Sequence, residues 1–144
     1  MIKIIAIGKI KETYLVNMIE DYLKRINKYH KLEIIEIVDN NIKDEGTKIV
    51  SKIEKNGFNI ALDIKGDKYT SNSFAQLIDK TLMHQGNINF IVGGSNGLSK
   101  EILELVDMRI SFSDLTFPHG MFRAILLEQI YRSFKILNNE SYHK

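Results

Sequence analysis

The stretch Ile88-Asn89-Phe90-Ile91-Val92-Gly93-Gly94-Ser95-Asn96-Gly97 carries the strongest structural signal of the 144-residue chain. Its first half, Ile88–Val92, is a short apolar run rich in β-branched residues, which predicts a buried strand. The glycines that follow allow a tight turn and a close approach of the backbone to a ligand. Ser99 then caps a predicted short helix, with Glu101 in its first turn. A buried strand that passes through glycines into a helix is typical of α/β proteins.

The same alternation of strand and helix extends over the whole chain. The other predicted strands are Ile2–Ile7, Leu32–Val38, Phe58–Ile64 and Met108–Phe112. The other predicted helices are residues 11–29 and 43–55, a helix from a cap at Ser71 or Ser73 to Met83, and a last helix from Pro118 to Leu137. Because the strands are continuous apolar runs, we predict a mostly parallel sheet with helices on both faces, in one domain over residues 1–144.

Composition excludes several classes of protein. Hydrophobic residues make up 44% of the chain, so it is not disordered. There is no cysteine, and hence no disulfide or thiolate metal site. The 4 histidines include no pair at i, i+4, which argues against a zinc site, and we expect no metal. No apolar run approaches the ~20 residues of a membrane span, so we expect a cytoplasmic protein without membrane contact.

Charge limits the kind of nucleic-acid contact that is open to the chain. It has 20 Lys+Arg against 18 Asp+Glu, a net charge of only +2. Since strong nucleic-acid binders are usually more basic, an RNA partner would require basic residues concentrated locally or supplied by an oligomer.

Three loops at strand ends are candidates for a ligand site, because ligands of α/β sheets bind outside the carboxyl ends of the strands. They are the loop after Ile64, the glycine turn Gly93–Leu98 and the loop Ser113–Pro118. The glycine turn matches neither G-x-G-x-x-G nor the phosphate loop, and a plain turn is the alternative. The third loop offers backbone groups for an adenine edge, or it is a buried connection with Phe112 and Phe117 in the core.

The last helix carries apolar residues over more than one face. This width predicts burial against both the sheet and a partner subunit, as in a homodimer, or a helix at the centre of its own domain. Arg123 lies in its first turn, where a positive charge opposes the helix dipole, so an anion nearby is expected. Glu128 and Arg132 have the spacing of a surface ion pair. The tail with His143 is either frayed or folded over the crevice.

Several motifs in fixed order resemble a known family. They are Gly93-Gly94-x-x-Gly97-Leu98, Ser111-x-Ser113-x-x-Thr116-x-Pro118-His119, Arg123-x-x-Leu126-x-Glu128-Gln129-x-Tyr131-Arg132 and Tyr142-His143-Lys144. Together with Gly8-Lys9 and Leu62-x-x-x-Gly66, they resemble the ribosomal RNA large subunit methyltransferase H family of SPOUT methyltransferases. Two departures are a pair of asparagines, Asn138-Asn139, in place of a glycine, and a short region between Val38 and Glu45. Asn can adopt the left-handed conformation that a helix end requires.

The resemblance implies a SPOUT-type α/β fold with a C-terminal trefoil knot, S-adenosylmethionine as methyl donor, and a homodimer. It implies methylation at N3 of a pseudouridine in large-subunit ribosomal RNA, with the assembled ribosome as substrate. The cofactor-binding positions it implies are Leu62, Gly93, Phe112, Ser113, Asp114, Leu115, Thr116 and Phe117. The matching positions for substrate or catalysis are Arg123, Tyr142 and His143. His143 or water would accept the N3 proton, and Arg123 would stabilise the base or hold a phosphate.

Two other functions are compatible with a fold of this kind. One is a non-catalytic RNA- or nucleotide-binding module, which would not require the Ser113–Phe117 loop, Arg123 and the tail together. The other is a phosphate-binding flavodoxin-like domain, which is disfavoured because no loop has a phosphate-cradling pattern.

Overall fold

The computed structural model describes residues 1–144 and contains one five-stranded sheet in the order β2-β1-β4-β3-β5, with every pair of neighbouring strands parallel. The strands are β1 (Ile2–Ile7), β2 (Leu32–Ile37), β3 (Phe58–Lys68), β4 (Ile88–Val92) and β5 (Met108–Ser111). The helices are α1 (Thr13–Ile26), α2 (Ile42–Lys52), α3 (Ser71–Gln85), α4 (Lys100–Leu105) and α5 (His119–Leu137). The predicted α/β class and the predicted alternation of strands and helices along the chain are confirmed.

Helices cover both faces of the sheet, as the continuous apolar strands predict. Successive strand residues point to opposite faces. In β1, Ile4 belongs to a cluster of 22 buried residues beneath α1, α3 and α5, whereas Ile5 belongs to a cluster of 6 beneath α2 and α4. The face of the sheet covered by α1, α3 and α5 therefore carries most of the core. None of the helices combines the length and apolar character that a membrane span requires.

Strand β3 is longer than predicted. The end predicted at Ile64 is wrong, because the strand resumes pairing with β5 after a bulge: Leu62 and Asp67 both lie opposite Ile110. Gly66 makes this possible, since a Cβ atom there would lie 2.6 Å from the backbone of Arg109. The bulge displaces residues 63–66 from the ladder at the carboxyl end of the sheet, which is the edge where a ligand is expected.

The bounds of β1 and β4 are as predicted, and the remaining boundaries differ from the predicted ones by at most three residues, for local reasons. Neither Ser71 nor Ser73 is the cap of α3: Thr70 caps it, accepting from the Ser73 amide, and Ser73 completes the capping box. Ser99 caps α4 as predicted. Asn41 caps α2 by accepting a hydrogen bond from the Asp44 amide.

Helix α5 lies between α1 and α3, so its wide apolar surface is used inside its own chain. Gly120 allows a close approach to α1, because a Cβ atom there would lie 3.2 Å from Leu15. Further along, Tyr131 packs against Tyr22, and Phe134 stacks on Tyr29 at 5.7 Å. Packing within one chain therefore accounts for much of the stripe, and contact with a partner subunit stays a prediction.

The end of α5 is closed by asparagine in place of glycine. Asn139 has a φ of +55°. Its amide donates to the Ile136 carbonyl at 3.1 Å, and the Glu140 amide donates to the Lys135 carbonyl at 2.9 Å. These are the two bonds of a Schellman motif. The expected left-handed asparagine is thus present, and it turns the tail back towards α5.

Candidate active site

A crevice opens at the carboxyl ends of β3, β4 and β5, at the edge of the sheet where the three predicted loops meet. Its volume is about 350 Å³, within the range of small-molecule sites. The lining residues are Leu62, Asp63, Ile64, Val92, Gly93, Gly94, Ser95, Gly97, Leu98, Ile110, Ser111, Phe112, Ser113, Leu115, Thr116, Phe117, His119 and Phe122. Half of these residues are hydrophobic, so the crevice combines apolar walls with polar backbone groups.

The glycine turn after β4 forms one wall of the crevice. A Cβ atom at Gly93 would lie 2.8 Å from the carbonyl carbon of Gly97, and one at Gly94 would lie 2.9 Å from Ile7. Gly97 has a φ of +73°, and its amide donates to the Gly94 carbonyl at 3.0 Å. Gly93 is therefore required by close packing on the Gly97 backbone, Gly94 by its close approach to the Ile7 side chain, and Gly97 by its conformation.

The loop after β5 forms the opposite wall. The Ser111 hydroxyl donates to the Ser113 carbonyl at 3.0 Å, and the Leu115 amide donates to the Ser113 hydroxyl at 3.0 Å. Phe112 packs edge-on against Phe74 and Phe122, and it also borders the crevice. The two alternatives stated for this loop therefore coexist: one side packs on the core, and the other lines the crevice.

The structure brings nearly all the predicted cofactor-binding residues together. Leu62, Gly93 and the loop from Phe112 to Phe117 line the crevice, with one exception. Asp114 does not line it, because its exposed side chain forms an ion pair with Lys68 on the outer side of the loop.

Asp63 lies in the crevice and was not predicted as a site residue. Its Oδ2 atom is buried and has no hydrogen-bond partner, and Arg109 is 3.8 Å away. A buried carboxylate oxygen without a donor is costly unless a ligand supplies one. The sequence signal was a lone acidic residue next to the end of the predicted strand Phe58–Ile64.

Arg123 lies behind the crevice and does not line it. Its side chain is only 3% exposed and contacts the Glu36 carboxylate on β2 at 2.5 Å. It also donates a hydrogen bond at 3.0 Å to the carbonyl of Gly8, the residue that follows β1. The anion expected near this arginine is therefore a carboxylate of the same chain. This arrangement fixes the relative positions of α5, β2 and the loop after β1.

The C-terminal tail docks on α1 and α5 and does not line the crevice. The Tyr142 hydroxyl donates to Glu128 at 3.1 Å, and His143 Nδ1 lies 3.0 Å from Arg132. Arg132 also pairs with Glu128 at 2.9 Å, as the spacing predicts. Burial, together with hydrogen bonds to Tyr22 and Glu128, raises the pKa of the Tyr142 phenol above its usual value. Tyr142 is thus a hydrogen-bond donor at neutral pH. We call Tyr22, Glu128, Arg132, Tyr142 and His143 the tail dock.

His119 is the histidine that lines the crevice. It begins α5 directly after Pro118, and a Cβ atom at Gly8 would lie 3.3 Å from its Nε2 atom. The loop after β1 therefore adjoins the crevice through His119. No group of three or more His, Asp or Glu side chains is arranged to hold a metal ion.

Comparison with known proteins gives a consistent result. Residues 1–143 match the family model described as a predicted SPOUT methyltransferase. The chain is also 47% identical to the ribosomal RNA large subunit methyltransferase H of Carboxydothermus hydrogenoformans, over 99% of both chains.

Solved structures share the fold at low sequence identity. One is a probable methylase family protein from Haemophilus influenzae, with a TM-score of 0.59 and 11% identity over 99% of this chain and 70% of that one. Another is the SpoU methyltransferase AviRb from Streptomyces viridochromogenes in complex with the cofactor AdoMet. Its TM-score is 0.51, with 12% identity over 92% of this chain and 57% of that one.

Proposed function

The chain belongs to the SPOUT methyltransferase family, and we propose that it transfers a methyl group from S-adenosylmethionine to N3 of a pseudouridine in large-subunit ribosomal RNA. The observation that carries the proposal is the match over nearly the full length of both chains to a ribosomal RNA large subunit methyltransferase H. Family membership favours this activity over a non-catalytic binding module or a flavodoxin-like domain.

The crevice has the features that S-adenosylmethionine requires. Phe112 and Phe117 supply apolar walls for an adenine ring, and the backbone of the glycine turn can approach a ligand closely. The unpartnered Oδ2 of Asp63 can accept a hydrogen bond from a hydroxyl or an ammonium group of the ligand. When bound, S-adenosylmethionine supplies an electrophilic methyl group on a positively charged sulfur.

The chain contributes alignment and proton removal. N3 of pseudouridine carries a proton, so a base must accept it when the nitrogen gains the methyl group. We assign this role to His143, with Tyr142 as a hydrogen-bond donor and Arg123 as a positioning residue. In the single chain the tail is docked away from the crevice, so His143 acts after the tail leaves the dock or from a second copy.

His143→Ala tests this assignment. We expect its turnover to fall at least about tenfold. A general base usually contributes ~10²–10⁴-fold, but water can replace His143 in part, so the minimum expected loss is smaller. S-adenosylmethionine affinity, measured by calorimetry, should not change. An equal loss of cofactor affinity would contradict the assignment.

Transfer of a labelled methyl group tests the substrate. The samples are assembled ribosomes, isolated large subunits and naked ribosomal RNA, all from cells that lack the modification. We expect label mainly in assembled ribosomes, because shape and protein contacts add to phosphate contacts there. Equal labelling of naked RNA would overturn the preference for the assembled particle, and no label in any sample would overturn the activity.

A homodimer is part of the proposal. The outer surfaces of α1 and α5 expose large apolar side chains: Tyr14 (68%), Met18 (40%) and Met121 (41%). Contact with a second copy would remove this surface from water. Sedimentation should give twice the monomer mass of 16.6 kDa, and Met18→Glu should give monomers. A monomeric wild-type chain would contradict the dimer.

Two predictions about architecture also belong to the proposal. The first is a single methyltransferase domain over residues 1–144, which the shared sheet beneath all five helices supports. The second is the C-terminal trefoil knot that the family resemblance implies.

A further inference from the structure

We propose that the loop Gly8–Lys11, after β1, binds RNA phosphates beside the crevice through Lys9 and Lys11, and that Arg123 is its positioning residue. The inference rests on the proposed function, since it assigns the contact that an RNA substrate would make with this chain.

The loop is anchored at Gly8 and at Ile10. The Gly8 amide donates to the Ile37 carbonyl at 2.8 Å, and the Gly8 carbonyl accepts from Arg123 at 3.0 Å. Gly8 has a φ of +96°, which turns the chain out of the sheet. Ile10 is 8% exposed, and a Cβ atom at Gly120 would lie 3.5 Å from it. The backbone that carries the two lysines is therefore positioned before any ligand binds.

The two lysines are the outward-facing residues of this loop. Lys9 and Lys11 are exposed, whereas Ile10 between them is buried. Neither lysine takes part in an ion pair, in contrast to Lys3, Lys68 and Lys135. Two exposed ammonium groups without an internal partner are available for phosphate.

The loop lies beside the crevice where the reaction would take place. His119, which lines the crevice, adjoins Gly8, and Gly120, the next residue, packs on Ile10. Lys65, in the β3 bulge that also borders the crevice, is likewise exposed and outside any ion pair. With Lys9 and Lys11 it provides unpaired positive charge around the crevice.

This placement answers the question raised by the low net charge of +2. An RNA partner requires basic residues concentrated locally, and three exposed lysines outside ion pairs, Lys9, Lys11 and Lys65, lie on segments that border the crevice, although none of them lines it. Arg123 contributes by position and not by contact: it is buried, its charge is matched by Glu36, and it fixes the loop through the Gly8 carbonyl. An acidic neighbour, Asp39, faces Gly8 but forms no ion pair with either lysine.

The test compares two double variants with the same loss of charge. One is Lys9→Ala with Lys11→Ala. The control is Lys28→Ala with Lys55→Ala, which removes two exposed lysines that precede β2 and β3 at the opposite edge of the sheet. Binding to ribosomes is measured by filter retention over a range of KCl concentrations. Calorimetry measures S-adenosylmethionine affinity.

We expect the loop variant to bind ribosomes at least about tenfold more weakly than the wild type. The slope of log K against log[KCl] should also be smaller in magnitude by about 1.4, because each phosphate contact on a single strand contributes ~0.7 and two contacts are lost. The control should keep the wild-type slope, and both variants should keep wild-type cofactor affinity. If the loop variant has the affinity and slope of the control, the inference is overturned while the proposed function stands. If the wild type binds no ribosomes, both fail.

Arg123→Lys tests the positioning role. We expect it to weaken ribosome binding in the wild-type loop but to add little in the Lys9→Ala, Lys11→Ala background, since both changes remove the same contact. A merely structural role of Arg123 would give additive losses, and additivity would overturn this part of the inference.

Discussion

The crevice and the tail dock each contain a carboxylate near an arginine, but the two carboxylates are hydrogen-bonded very differently. In the dock, the Glu128 carboxylate accepts from Arg132, Gln129 and Tyr142. In the crevice, Asp63 Oδ2 is buried and accepts no hydrogen bond, and Arg109, its ion-pair partner, is 3.8 Å away. Fully hydrogen-bonded groups stabilise one arrangement, whereas a buried carboxylate oxygen without a hydrogen-bond donor gains most from a ligand.

The contrast separates binding from the placement of catalytic residues. The crevice is built on closely packed glycines and strand ends, and it has a volume of about 350 Å³. The dock holds Tyr142 and His143 in a position that does not border the crevice. Changes in the crevice should therefore alter cofactor affinity, and changes in the dock should alter stability and turnover.

Gly93→Ala should have the largest effect and acts on the crevice alone. The added Cβ would lie 2.8 Å from the Gly97 backbone, and rearranging the turn should weaken S-adenosylmethionine binding roughly a hundredfold, at the upper end of the ~1–3 kcal/mol cost of overpacking. Calorimetry measures the affinity. Gly86→Asn, at a glycine with φ +79° and open space around it, is the control and should bind normally. Unchanged binding by Gly93→Ala would contradict the assignment of the crevice.

Glu128→Gln should break the dock and leave the crevice intact. The substitution removes the negative charge that Arg132 and Tyr142 share, which should lower the free energy of unfolding by about 2 kcal/mol. Denaturant titration measures this loss, and hydrogen exchange should show faster opening at residues 139–144. S-adenosylmethionine affinity should stay at the wild-type value. A loss of cofactor affinity as large as the loss of stability would mean that the two regions are not independent.

Asp63→Asn sharpens the comparison from the crevice side. If the unpartnered oxygen accepts a hydrogen bond from the ligand, the neutral amide should weaken S-adenosylmethionine binding about tenfold, equivalent to ~1.4 kcal/mol. Stability should change by less than about 1 kcal/mol, because the pair with Arg109 is long and partly exposed. Asp114→Asn, outside the crevice, is the matched control. Equal affinities for the two variants would rule out Asp63 as a ligand-binding residue.

Asn139→Gly should have the smallest effect and acts on the turn that leads into the tail. Glycine adopts a φ of +55° with less strain than asparagine, so we expect a gain in stability of at most about 1 kcal/mol. Asn139→Val should instead destabilise the turn. Thermal unfolding of both variants measures the difference, and a valine variant as stable as wild type would show that the Schellman turn does not hold the tail.

Sequence patterns located the elements and the crevice loops because these depend on local signals. Ile88–Val92 was predicted with its observed bounds, since Asn87 and Gly93 on either side mark where the strand begins and ends. The extension of β3 to Lys68 was missed, because it depends on pairing with β5 after a bulge. The position of α5 between α1 and α3 was left open for the same reason: hydrophobic width does not say what covers it.

Long-range pairs were the part of the site that the sequence could not provide. Arg123 was expected to meet an anion, but its partner Glu36 is 87 positions away in the sequence. Asp63 lacked any motif, and only its burial without a donor marks it as a ligand-binding candidate. The docking of Tyr142 against Tyr22 and Glu128 likewise requires the packing of α1 beside α5.

The most direct test of the account is the identity of the methylated nucleoside. Ribosomes that lack the modification are incubated with the protein and S-adenosylmethionine carrying a deuterated methyl group, and the digested large-subunit RNA is analysed by mass spectrometry. We predict a single deuterated product with the mass and retention of N3-methylpseudouridine, and much less of it with the Gly93→Ala variant when S-adenosylmethionine is kept below the Kd of that variant. A deuterated methyl group on any other nucleoside, or none at all, would contradict the account.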